Sequence, residues 1–205
     1  MAREQETARR TVPIKCVACE RPLDSPLFCN SCRRLYPADG LSFFELLGLH
    51  PGYDVVVTEV RRRYFELLRE IHPDRMGAGN AEVQRLSMRV SAQINQAFQV
   101  LLDPVLRAEY LLELVGGKSA ADDKQVPQEV LVDSLTLREE IDEAKTANDQ
   151  AALDGLRQQV QGRFKTTLEE VASLARRLPG SAETRQRLRG KLNAIRYYRR
   201  ILEQL

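Results

Sequence analysis

The stretch that decides the fold is VVTEVRRRYFELLREIHPDR, residues 56–75. Its apolar residues recur at helical spacing and predict an amphipathic helix from about Val56 to Glu70, for which Asp54 and Thr58 are both candidate caps. The opposite face carries Arg61, Arg62, Arg63 and Arg69. His72-Pro73-Asp74 ends the helix, because proline disfavours the α conformation for the residue before it. Alone, the tripeptide is also compatible with a solvated helix-stop turn.

The flanking sequence supplies the context for this tripeptide. Ser42 and Glu45 predict a capping box for a short helix that ends near Gly48. After the tripeptide a loop runs through Gly77 and Gly79, and a long helix is predicted over about 81–102. Pro104 begins a fourth, short helix that stops at glycines 116 and 117. A basic helix, a His-Pro-Asp loop and a long helix, with a short helix on either side, resemble a J-domain.

The rest of the chain is also predicted to be helical. Residues 116–126 form a linker, and three amphipathic helices are expected over about 127–146, 150–178 and 181–204. Short turns between such helices are typical of an antiparallel bundle. The fold class is therefore mainly all-α, with the J-domain at 41–115 and the three-helix bundle at 127–205.

All four cysteines lie in one short segment. Residues 1–10 are predicted to be a disordered tail, and residues 11–40 a turn-rich module stabilised by a metal. Its two C-x-x-C pairs are Cys16 with Cys19 and Cys29 with Cys32. Such pairs can close a tetrahedral four-thiolate site, for which zinc is the first choice and iron in a rubredoxin-like site the alternative. A disulfide or a redox role is less favoured, because a secreted framework would spread its cysteines and no βαβ pattern is present.

Several segments resemble the HscB family, the J-proteins of iron–sulfur cluster biogenesis, and the similarity covers about residues 41–205. The matching segments are Leu41-Ser42-Phe43-Phe44-Glu45-Leu46-Leu47-Gly48-Leu49, Ser91-Ala92-Gln93-Ile94-Asn95-Gln96-Ala97-Phe98, Leu102-Asp103-Pro104, Arg107-Ala108-Glu109-Tyr110-Leu111-Leu112 and Leu137-Arg138-Glu139-Glu140-Ile141. Some longer members of this family also have the cysteine extension. We expect this extension to be structural, and the loss of one cysteine to leave the J-domain's activity intact.

The resemblance implies a co-chaperone that stimulates the ATPase of a DnaK- or HscA-class chaperone. The implied chaperone contacts are His72, Pro73, Asp74, Arg61, Arg62, Arg63, Arg69 and Arg75. Arginines on one helix face would steer the domain onto an acidic partner. The hydrolysis itself would take place in the partner, so an enzymatic role for this chain is not expected.

In this family the C-terminal bundle binds an IscU-type scaffold. The positions that match the family's contacts are Leu131, Val132, Leu135, Glu139, Glu143 and Leu188. Leu131 and Leu135 also lie off the inward stripe of their helix, which favours a partner-binding face. The alternatives are that these two leucines pack against the rest of the chain and that Leu188 belongs to the core.

Other function classes are less well supported. The net charge of +2 predicts no general affinity for nucleic acid or membrane, although the last helix is basic. A generic J-protein that serves unfolded clients is the main alternative function. A bacterial cytoplasmic location is expected, with the mitochondrial matrix as the second choice, and a homodimer is left open.

Overall fold

The structure is a computed structural model that describes residues 15–76 and 80–205. Within these residues it contains eight helices and no strand, with two isolated β-bridges near the cysteines. The helices are α1 (Phe43–Leu46), α2 (Val57–Glu70), α3 (Pro73–Met76), α4 (Ala81–Leu102), α5 (Pro104–Leu114), α6 (Gln128–Thr146), α7 (Gln150–Ala175) and α8 (Ala182–Leu202). The predicted all-α class is confirmed. The predicted tail 1–10 and the glycines at 77 and 79 lie outside the described residues.

Contacts divide the chain into two compact units, residues 1–103 and 104–205. In the first unit α4 packs against α1, α2 and α3. Its buried side chains include Val60, Ile71, Val90, Ile94, Ala97 and Leu101. The ring of Tyr64 stacks on Phe98 with 3.9 Å between centroids, and its hydroxyl bonds the side chain of Asn95. These contacts form the helical hairpin that the apolar periodicity predicted.

The ends of the helices follow local sequence signals, with two exceptions. The predicted capping box of α1 is present, since the Glu45 amide donates to the Ser42 hydroxyl and the Ser42 amide to the Glu45 carboxylate. Neither candidate cap of α2 is used: the helix follows Val56 without a side-chain cap. The second exception is α3, a helical turn that begins inside the tripeptide at Pro73, where a loop was predicted, because proline suits the first position of a helix.

In the second unit α6, α7 and α8 pack against one another, and α5 packs against α7 and α8. The predicted inward stripe of α6 is buried, namely Val130, Ser134, Leu137, Ile141 and Ala144. The core that they join also contains Val160, Ala194, Tyr198 and Ile201. The packing therefore groups α5 with the bundle helices. The predicted end of the J-domain at residue 115 and the predicted end of the linker at residue 126 stay predictions. None of the described helices combines the length and apolar character that crossing a membrane requires.

Candidate functional site

The His-Pro-Asp tripeptide lies at the turn between α2 and α4. Ile71, the residue that follows α2, is fully buried, and its carbonyl accepts a hydrogen bond from the buried hydroxyl of Ser87 on α4. The next residue, His72, is exposed, and its carbonyl accepts from the amides of Arg75 and Met76 at 2.9 and 3.0 Å. The backbone of the tripeptide is thus anchored on both sides. Pro73 and Asp74 are the first two residues of α3.

The arginines predicted to steer the domain are partly neutralised within α2. Arg62 forms ion pairs with Glu59 at 2.6 Å and Glu66 at 2.8 Å, and Arg63 pairs with Glu59 at 2.7 Å. Hydrogen bonds from Arg62 and then Arg63 lower the pKa of Glu59 to about 2. Arg62 and Arg63 therefore present less net charge to a partner than the run of three arginines suggests.

Sequence reasoning missed an exposed aromatic residue on this face. The side chain of Phe65 is 63% exposed, and Arg61 and Arg69, four residues away on either side, are exposed too. Residues four apart lie on one helix face, so an apolar ring stands between two cationic positions. The available signal was that Phe65 lies off the inward stripe of Val60, Tyr64 and Leu67.

The four cysteines come together as the spacing predicted. Their sulfur atoms all lie within 4.8 Å of one another, and no disulfide links them. In both C-x-x-C pairs the carbonyl of the first cysteine accepts from the amide four positions on, and its amide donates to the carbonyl five positions on. The residue after each pair, Glu20 or Arg33, has positive φ. The turns 16–20 and 29–33, which we call the first and second knuckle, thus share one backbone geometry and bring their four sulfur atoms together. Four thiolates are a donor set that suits zinc or iron.

Neighbouring groups shift the pKa values of these thiols in opposite directions. A hydrogen bond from the Tyr36 hydroxyl, 3.1 Å away, is the main cause that lowers the pKa of Cys16 to about 6. A backbone hydrogen bond from Arg21 lowers the pKa of Cys19, but burial and the three neighbouring thiols outweigh it and raise the value to about 12. Like charges in one site oppose each other's ionisation, and a bound cation would offset this repulsion. The donor set therefore fits a metal ion.

The predicted scaffold face is exposed on α6 except for one residue. Leu131, Val132 and Leu135 are 39%, 57% and 61% exposed, and Glu139 and Glu143 lie further along the same helix, both exposed. Leu188, by contrast, is completely buried in α8. The structure therefore places Leu188 in the core, on the inward stripe of its own helix, and not among the exposed side chains of the predicted contact surface.

Part of the positive charge on the last helix is paired within its own unit. Arg189 is buried and donates to Glu109 of α5 at 2.9 Å, and Arg196 reaches the same carboxylate oxygen at 2.6 Å. Lys191 pairs with Glu170 at 2.6 Å. Three of the seven basic residues on this helix therefore bind acids of the bundle, which leaves less positive charge for a phosphate backbone.

Models of two known domain families match two successive segments of the chain. A model of the DnaJ domain matches residues 42–110. A model described as the HSCB C-terminal oligomerisation domain matches residues 126–205. The chain therefore has the two domains of an HscB-type J-domain co-chaperone. Iron–sulfur cluster assembly is associated with the HscB family, and the four-cysteine cluster precedes both matched segments.

Solved structures support the HscB fold. The chain is 24% identical to the human co-chaperone protein HscB, with a TM-score of 0.77 over 93% of this chain and 95% of that one. The chaperone HscB from Vibrio cholerae gives 22% identity and a TM-score of 0.68, covering 80% and 94%. The Jac1 co-chaperone from Saccharomyces cerevisiae gives 19% and 0.60, covering 84% and 94%. These likenesses show the fold of an HscB-type protein.

Proposed function

We propose that this HscB-type chain stimulates the ATPase of a DnaK- or HscA-class chaperone and delivers an IscU-type iron–sulfur scaffold to it. The observation that carries the proposal is the exposed His72, held at the turn between two packed helices and followed by Pro73 and Asp74. A fixed backbone with an exposed imidazole suits oriented hydrogen bonding to a partner. The hydrolysis of ATP takes place in the chaperone, and the J-domain acts by contact.

The proposed chaperone-binding face of α2 combines positive charge with an apolar centre. Arg61 and Arg69 provide electrostatic attraction to an acidic surface, and Phe65 between them provides apolar area that a docked partner can bury. Arg75 donates to the carbonyl of Arg69 and to Glu70, which ties α3 to the end of α2. In this proposal the positive charges bring the chaperone in, and the tripeptide then triggers hydrolysis.

The scaffold would bind the exposed leucines of α6. Leu131 and Leu135 are four residues apart and form one apolar strip, with Val132 beside it. Exposed apolar side chains at this spacing are typical of a partner surface. Glu139 and Glu143 extend the same helix with negative charge, which would favour a basic counterpart on the scaffold.

The cysteine module would hold one zinc ion through Cys16, Cys19, Cys29 and Cys32. Structural zinc sites in proteins are commonly closed by four thiolates. Cys16 and Cys29 pack with Tyr36 in one buried cluster of this small module, so metal binding would contribute to its folding free energy.

The test is single-turnover ATP hydrolysis by a purified DnaK-class chaperone, with and without an IscU-type scaffold. His72→Gln should abolish stimulation without changing the far-UV circular dichroism, because His72 is exposed. His50→Gln is the matched control, since His50 is the other histidine of the chain and is exposed as well. Normal stimulation by the His72 variant would refute the mechanism. Stimulation that the scaffold does not enhance would instead favour a generic J-protein.

A further inference from the structure

One arginine of the cysteine module contacts both ends of the His-Pro-Asp segment. Arg33, directly after Cys32, donates through Nη1 to the Glu70 carboxylate at 2.7 Å and through Nη2 to the Glu70 carbonyl at 2.9 Å. The same Nη2 lies 3.9 Å from the sulfur of Met76. Glu70 is the last residue of α2 and Met76 the last of α3. The guanidinium therefore spans the tripeptide from two residues before it to two residues after it.

The contact with Arg33 caps the C-terminal end of α2. The last carbonyls of a helix lack partners within the helix, and a cationic side chain there both satisfies a carbonyl and complements the helix dipole. Glu70 is held from two directions, by Arg33 and more loosely by Arg75 at 3.4 Å. The Arg33 hydrogen bond is the main cause that lowers the pKa of Glu70. Arg33 is thus well placed to fix where α2 ends and where His72 begins.

The knuckle in turn fixes Arg33. Its φ is +63°, a conformation that a residue with a side chain adopts at a cost and keeps only when its surroundings hold it. Its amide donates to the Cys29 carbonyl at 2.9 Å, and its guanidinium lies 5.5 Å from the ring centre of Phe28. Because the knuckle carries Cys29 and Cys32, the geometry of the thiol site and the position of Arg33 are set by the same turn.

We propose that Arg33 is a positioning residue for His72-Pro73-Asp74, so that the metal-bound state of the cysteine module sets how strongly the J-domain activates its chaperone. The idea rests on the proposed ATPase stimulation. It replaces the expectation that the cysteine module and the J-domain act independently, because the module's own arginine bonds the residues that flank the tripeptide. A second ion pair, Asp39 with Arg89 at 3.2 Å, also joins the module to α4, but both side chains are well exposed and it is weak.

The experiment compares Arg33→Ala with Glu20→Ala in the full-length, metal-loaded protein. Glu20 holds the equivalent positive-φ position of the first knuckle and is exposed, so both variants remove a side chain from the same strained backbone. Arg33→Ala should lower the maximal stimulated rate about two- to fivefold, within the range that a partly exposed ion pair contributes, and Glu20→Ala should not lower it. Arg33→Lys should have a rate between those of Arg33→Ala and the wild type, because lysine keeps the positive charge but cannot form the bidentate contact with Glu70.

Two further measurements separate positioning from general damage. Amide hydrogen exchange of residues 70–76 should speed up in Arg33→Ala but not in Glu20→Ala, while the metal content of both stays at the wild-type level. Glu70→Gln removes the ion pair from the α2 side without touching the cysteine module, and should lower the rate by a similar factor. The double variant should lose less than the two single variants added together, since both remove the shared Arg33–Glu70 ion pair. Removing the metal with a chelator should lower stimulation by the wild type and have little further effect on Arg33→Ala.

The possible failures point to different conclusions. If the wild-type protein does not stimulate the chaperone, the proposed function is wrong, whatever Arg33 does. If the wild type stimulates but Arg33→Ala and Glu70→Gln both match it in rate and in amide exchange, the positioning role is wrong and the proposed function stands. A rate loss that is equal in the Arg33 and Glu20 variants would also overturn the role, because it would show damage to the knuckles instead.

Discussion

Arg189 of α8 donates to the carboxylate of Glu109 on α5 across 2.9 Å, although the two residues lie eighty positions apart in the chain. The arginine side chain is 2% exposed and the glutamate side chain 13%. Arg189 also bonds the side chain of Asn193, whose amide donates to the carbonyls of Asp123 and Gln125. One buried polar cluster therefore holds α5 and the segment before α6 against α8.

Glu109→Ala should destabilise the protein strongly. It leaves the buried guanidinium of Arg189 without its carboxylate, and breaking a buried pair in this way typically costs about 3–5 kcal/mol. Arg196→Ala is the control, because Arg196 binds the same carboxylate but its side chain is 41% exposed, and its loss should cost under about 1 kcal/mol. Urea unfolding followed by circular dichroism measures both. Equal costs would show that the buried pair is not important for stability.

Leu131→Ala and Leu135→Ala together should weaken binding of an IscU-type scaffold at least about tenfold, because buried apolar anchors dominate interface energies. The melting temperature should change little, since both side chains are exposed.

Leu188→Ala should instead lower the free energy of unfolding. It removes a fully buried side chain, which typically costs about 2–5 kcal/mol of stability. Calorimetric titration and thermal melts separate the two effects. Unchanged scaffold affinity in the double variant would rule out the leucine strip as the binding surface.

The thiol cluster should bind one zinc per chain. Elemental analysis should give this ratio for the wild type, and Cys16→Ser should lower it, whereas Ser31→Ala should keep it, because Ser31 lies between two of the cysteines but offers no thiolate. Loss of the metal should expose residues 15–40 to proteolysis, since the small core around Cys16, Cys29 and Tyr36 consists largely of the ligands. Iron in the wild-type protein would correct the metal, and a chelator-resistant segment would contradict a structural role.

The pairing of Glu59 should appear as a pH dependence of α2. The pKa of Glu59 is lowered from 4.5 to about 2, by the hydrogen bond from Arg62 first and that from Arg63 second. The folded state therefore gains stability from this carboxylate above pH 4.5 and loses it as the pH falls towards 2. Carboxyl NMR titration should give a midpoint far below 4.5, and Arg62→Ala should raise it more than Arg63→Ala. A midpoint near 4.5 in the wild type would show that the pairs do not form in solution.

Local signals in the sequence determined much of this molecule. The bounds of α4 and the capping box of α1 were predicted closely, because helix periodicity, caps and prolines act within a few residues. The cysteine cluster was predicted from spacing alone, since two C-x-x-C turns impose nearly the same local geometry wherever they occur. Two local predictions failed, the cap of α2 and the loop at residues 73–76; the helical turn there arose because proline both ends one helix and suits the start of the next.

Tertiary structure alone decided which surfaces are covered and which distant residues meet. Periodicity shows that Leu188 and Leu131 lie on particular faces of their helices, but only packing decides that the first is buried and the second exposed. The pairs Arg33–Glu70 and Arg189–Glu109 join residues 37 and 80 positions apart. No local pattern marks such partners, because a single side-chain hydrogen bond depends on where the backbone brings its two ends. The sequence thus determined the helices and the thiol site, whereas the fold brought Arg33 to the tripeptide and buried Leu188.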